Sequence, residues 1–217
     1  YQARIQQLVQ GYPFGGNPHF FEHRNDAPLV IFGGVLLNAI PGLMGFSFNA
    51  AIWLNFFFWS VFFALAAFAL FRTLWVSTWF SVAATVLLYI QSYSHVWRSV
   101  NLQPVYPFIF LFYLLLFRLM EEPSRKQRIL LGFIVGITFY LFAYLWQIAF
   151  ITLGLVMCYA TIQKNRILLR EVLNVGLIGL GIGAPMLVYS LWLSQTSPSF
   201  WESVSRLGLV ATHIPMA

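Results

Sequence analysis

The sequence predicts an all-α, polytopic transmembrane bundle of about six or seven helices, and three observations carry that expectation. Hydrophobic residues make up 60% of the 217 and charged ones only 8%, where soluble domains carry roughly 25% charged. From Ile129 to Gln163 the chain runs 35 residues without a charged side chain; about twenty apolar residues already cross the hydrocarbon of a bilayer. The apolar runs are continuous, lacking the period-two alternation of barrel strands, and lipid leaves only helices or closed barrels as options.

Residues 1–27 form the one long polar stretch, read as an extramembrane loop with a short interfacial helix from Arg4 to Val9. Gly11, Pro13, Gly15, Gly16 and Pro18 then break helix and make turns. The bundle is expected over residues 28–193. Its first segment runs from Pro28 to Met44, interrupted by Pro41-Gly42. Phe48–Phe71, Val76–Tyr93 and Leu102–Phe117 follow. The run from Ile129 to Gln163 holds two helices turning near Trp146-Gln147. The last segment, Val172–Leu193, carries Gly176, Gly179, Gly181 and Gly183, small residues that let a neighbouring helix approach, and Pro185 as a kink. Residues 194–217 are expected to be an extracytoplasmic loop. A chain that opens on Tyr1 and closes on an uncharged Ala217 is expected to be a piece of a longer protein, with a helix before Tyr1.

The net charge of +6 does not point to nucleic acid. The cations sit in short loops between apolar runs, four from Arg118 to Arg128 and three from Lys164 to Arg170, as cytoplasmic loops of membrane proteins do. Strict counting places residues 1–27 on that same side if the first segment spans. Only about a dozen apolar residues precede Pro41, short of the length required; a re-entrant segment returns the loop to the outer face. Cys158, the single cysteine, reads as a small core residue.

Three polar constellations are candidate sites. In the first loop Glu22 and Asp26 lie one helical turn apart with His19 and His23 in register. A carboxylate there can act as general base, with His23 beside it, and Glu22 with Asp26 can hold a divalent cation. The same charges also read as a solvated anchor at the interface. Between the third and fourth segments, His95 and Arg98 suit a phosphate, arginine pairing bidentately with its oxygens; Trp97 and Arg98 read equally as interfacial anchors. In the tail, Arg206 and His213 can engage an anionic head group, or stand on a plain interfacial helix. The amides Asn38, Asn49, Asn55, Gln91 and Gln147 read as interhelical hydrogen bonds, and Phe56 to Trp59 as lipid-facing or packing residues.

The order of these features resembles a family. A polar loop with Gly11-Tyr12-Pro13-Phe14-Gly15-Gly16-Asn17-Pro18 and an acid leads into Pro28-Leu29. A helix ending Phe71-Arg72-Thr73-Leu74, the Tyr93–Gln103 stretch and Leu131–Tyr140 follow. Together they look like the multi-spanning glycosyltransferases of the GT-C fold, the group of protein O-mannosyltransferases, oligosaccharyltransferase catalytic subunits and bacterial membrane sugar transferases. The resemblance implies a polyprenyl-phosphate sugar donor and transfer to an acceptor on the extracytoplasmic face, in a bacterial cytoplasmic membrane. It also implies an acid of the first outer loop as base or as ligand to Mg or Mn. In that family the acid commonly follows the first helix, whereas Glu22 and Asp26 fall late in the equivalent loop. A transporter or flippase of a lipid-linked or small solute is the rival class; it calls for charges inside the segments and for inverted repeats, and the sequence offers almost none.

Overall fold

The computed structural model describes residues 2–11, 33–74, 77–96, 102–142, 144–196 and 200, and every regular element among them is helical. In chain order these are α1 (Gln2–Val9), α2 (Gly33–Leu43), α3 (Phe48–Thr73), α4 (Thr78–Val96), α5 (Leu102–Glu121), α6 (Arg125–Leu141), α7 (Leu145–Ile162) and α8 (Arg166–Thr196). Four of them, α3, α5, α7 and α8, are long and apolar enough to cross a membrane. The protein is an integral membrane protein built as a helical bundle. Its outer surface fits that solvent: Phe57, Trp79, Leu87, Ile151, Leu155 and Leu177 are all exposed, a pattern that water would penalise and lipid does not.

Two helix starts differ from the sequence expectation for one reason. Helices continue past the hydrocarbon into the charged residues that look like loops. Ser124 accepts a hydrogen bond from the Gln127 N–H (3.2 Å), so α6 starts at Arg125 rather than Ile129. Asn165 accepts from the Leu168 N–H (3.0 Å), so α8 starts at Arg166 rather than Val172. Helix α6 ends at Leu141 and α7 begins at Leu145, ahead of the Trp146-Gln147 pair at which the sequence predicts the reversal. Pro41 does not interrupt α2 but lies in its last turn; the helix stops at Gly45 (φ 91°), with Phe46 N–H donating to Pro41 O and Gly45 N–H to Gly42 O. Cys158 is exposed on α7 and is not a core residue.

The tightest interface joins α6 and α8. A Cβ placed on Gly132 would lie 2.7 Å from Ile178, one on Gly136 2.5 Å from Ile182, and one on Gly179 2.5 Å from Val135; one on Gly183 would enter the Phe139 ring. Each helix thus offers two glycines four residues apart to a bulky side chain of the other. Gly176 and Gly181, also expected at such a seam, face open space. The contacts advance together along both chains, from the Arg128–Glu171 ion pair (2.8 Å) to the Tyr140 hydroxyl donating to Ile182 O (2.8 Å). The two helices are therefore parallel. The Tyr140 bond also braces the turn in which Pro185 deprives the Gly181 carbonyl of its N–H partner.

Introducing valine at Gly136 or Gly183 should destabilise the protein by about 1–3 kcal/mol, read as a lower unfolding temperature in detergent. Gly154→Ala and Gly176→Ala, where nothing lies within 4 Å, should leave that temperature unchanged or raise it slightly. Equal effects at both pairs of sites would refute the seam.

Candidate functional site

Connections of three to five residues between packed helices reverse the chain at each step from α3 to α8. The packing agrees: Val105 at the start of α5 clusters with Leu141 at the end of α6 and Leu145 at the start of α7. One end of the bundle consequently collects every charged side chain carried between residues 33 and 74, 77 and 92, 103 and 142, and 144 and 196. These are eight cations (Arg72 and Arg118 among them) and three acids, Glu121, Glu122 and Glu171. The opposite end carries uncharged polar groups. Asn49 in the first turn of α3, Gln91 near the end of α4 and Gln147 in the first turn of α7 are exposed there. They do not make the interhelical bonds expected of them.

This uncharged end is also where the described chain breaks off toward the polar segments. Gly33 abuts the Tyr140 carbonyl in the last turn of α6, Val96 ends α4, Leu102 opens α5 and Thr196 ends α8. The candidates Glu22, His23, Asp26, Arg98, Arg206 and His213, with His19, lie outside the described residues, and so does the side chain of His95 on α4. What the topology supplies is a common end for the helix termini that bear them.

Inside that end sits a buried polar trio. The Asn55 amide donates to Asn38 O (2.7 Å), and the Trp59 indole N–H donates to Asn38 Oδ1 (2.7 Å). Asn38 is 1% exposed, and its own Nδ2 has no partner. Asn55 and Trp59 stand one turn apart on α3, so one face of a crossing helix pins the short α2. Leu37 of α2 packs on the Val105–Leu141–Leu145 cluster at the uncharged end. Asn38 and Asn55 are the two amides for which the interhelical expectation holds. Trp59 was legible only as packing; its spacing from Asn55 was the available clue. Gln103 in the first turn of α5 and Thr138 in α6 add further buried polar groups at this level.

The lipid-facing side of α8 carries an open apolar groove of about 620 Å³, lined by Gly181, Ala184, Pro185, Val188, Tyr189 and Trp192. It lies in the half of α8 that runs toward the uncharged end. Among the described residues no three His, Cys, Asp or Glu side chains gather as a metal site would require. No protein-family model matches the chain, and no curated protein or solved structure does either.

Asn38→Leu should cost about 1–3 kcal/mol, because it strands the buried Trp59 N–H, whereas Asn55 keeps its bond to the Asn38 carbonyl. Trp59→Phe combined with Asn38→Leu should cost less than the sum of the two alone, read from unfolding in detergent. Strict additivity would show that the indole bond contributes nothing.

Proposed function

We propose that the chain belongs to a membrane glycosyltransferase that moves a sugar from a polyprenyl-phosphate-linked donor to an acceptor on the extracytoplasmic face. The observation that carries this reading is the sidedness of the bundle. The cations mark one end as cytoplasmic by the positive-inside bias, and the helix termini leading to the three ionisable segments all lie at the other. The apolar groove on α8 supports it, since an isoprenoid tail can stay in lipid along that helix while its head group meets charge beyond Thr196.

In this reading Asp26 or Glu22 takes the proton of the acceptor hydroxyl as its oxygen attacks the anomeric carbon. The bond from that carbon to the donor phosphate oxygen breaks, and the departing phosphate keeps the electron pair. Arg98 and Arg206, with His95 and His213, stabilise the charge that develops there; His23 orients the carboxylate. A divalent cation, Mg or Mn, held by Glu22 and Asp26 would supply charge neutralisation at the same phosphate. The transporter class lacks its main support, since the middles of α3 to α8 carry no charged side chain.

Asp26→Asn or Glu22→Gln in the full-length protein should lower consumption of a radiolabelled polyprenyl-phosphate sugar by roughly a hundredfold or more. Unchanged turnover in both variants removes the loop from the chemistry, and movement of label across vesicles without consumption establishes a flippase instead. A cysteine placed at Asn17 should react with an impermeant maleimide added outside intact cells. Labelling only after lysis puts residues 1–27 on the cationic side and overturns the proposed sidedness.

A further inference from the structure

Independently of what the opposite end does, we infer that the cationic end is a docking surface for the head groups of anionic phospholipids. Six cations there, Arg118, Arg125, Lys126, Lys164, Arg166 and Arg170, are exposed, and none meets a carboxylate among the described residues. Arg128, by contrast, is neutralised by both oxygens of Glu171 at 2.8 and 2.9 Å. That pair also fixes where the others stand. It ties the start of α6 to the start of α8, so Arg125 and Lys126 on one helix rise beside Arg166 and Arg170 on the other.

Two features select lipid over a soluble anion. The first is depth. Ile129 and Leu130 follow the α6 cations by one turn and are 47% and 42% exposed; Ile162 and Ile167 bracket Lys164 and Arg166 at 77% and 68% exposed. Apolar side chains that open to the hydrocarbon this close to the charges hold the guanidinium and ammonium groups at the level of the lipid phosphates. The second is the uncompensated field. That end holds eight cations against three acids among the described residues, and one of those acids, Glu171, is already held by Arg128. An anionic leaflet supplies the missing counter-charge, and each basic residue near such a surface strengthens attachment by about fivefold.

The test uses the full-length chain. Wild-type protein purified in neutral detergent is offered an equimolar mixture of phosphatidylglycerol and phosphatidylcholine, and the retained lipids are counted by native mass spectrometry. Several-fold enrichment of phosphatidylglycerol, reduced at high salt, is the expected result; equal retention of the two lipids overturns the inference. Phosphatidylglycerol should also raise the unfolding temperature, whereas inorganic phosphate at matched charge should not. A similar rise with phosphate would mean a soluble-anion site and sink the lipid assignment. In the variant Arg125→Gln/Lys126→Gln/Arg166→Gln/Arg170→Gln the enrichment should vanish while unfolding in phosphatidylcholine alone stays as in wild type. Enrichment that persists in that variant also overturns the assignment. Should the variant fail to fold, the wild-type competition decides alone.

Discussion

The close approach of α6 and α8 is the constraint from which the rest of the architecture follows. In lipid, helices gain nothing from hiding apolar surface from each other, so association rests on van der Waals contact and a few polar links. Gly132 and Gly136 give Ile178 and Ile182 somewhere to go, and Gly179 and Gly183 do the same for Val135 and Phe139. Because the exchange is reciprocal, sliding either helix by one residue would drive side chain into backbone. The register is locked, with Arg128–Glu171 at one end and Tyr140–Ile182 at the other. Two parallel helices separated by a single intervening helix then force α7 to run antiparallel to both, and the short connections carry that alternation back to α3.

The two ends of the bundle obey different rules as a result. At the cationic end, Arg72 and Arg118 close α3 and α5 in favour of the helix dipole. By contrast, α6 and α8 begin with basic residues set against it, which costs roughly 0.3–1 kcal/mol for each group within the first turn. Orientation in the membrane outweighs that local penalty. At the opposite end, the polar side chains described on α2 to α8 are uncharged, and those between α2 and α3 bond to each other. Asn38, Asn55 and Trp59 share two hydrogen bonds at 2.7 Å, in a place where an isolated amide would cost several times what each bond contributes. The trio ties α2 to α3 inside the bundle.

The helical membrane class and most segments were legible in the sequence because a run such as Ile129–Gln163 has no other stable fate. Boundaries were less so, and for a definite reason. Hydropathy reports where hydrocarbon ends, not where backbone hydrogen bonding ends. Ser124 and Asn165 cap helices that begin beyond the apolar run, and Gly45, rather than the pair Pro41-Gly42, stops α2 because its φ of 91° suits glycine alone. The glycines of α8 show the same limit. Four read alike by composition, yet Gly179 and Gly183 meet Val135 and Phe139, while nothing lies within 4 Å of a Cβ at Gly176 or Gly181. Of the candidate site, the sequence named the ionisable residues, while the common end of the helices bearing them emerged only from the alternation of directions. The Asn38–Trp59 bond joins residues 21 apart on different helices, and no local pattern announces such a pair.

Helix α2 bears on how charge is distributed along the bundle. Its contacts lie at the uncharged end: Leu37 against Val105, Leu141 and Leu145, Asn38 against the second and third turns of α3, and Gly33 against the last turn of α6. From Gly33 to Leu43 it carries no charged side chain, so it adds nothing to the cation count. The eight cations between residues 48 and 74, 103 and 142, and 144 and 196 all stand at the far end. The alternation of directions from α3 to α8 is therefore enough to gather them there, because every connection that bears them joins helices at that same end.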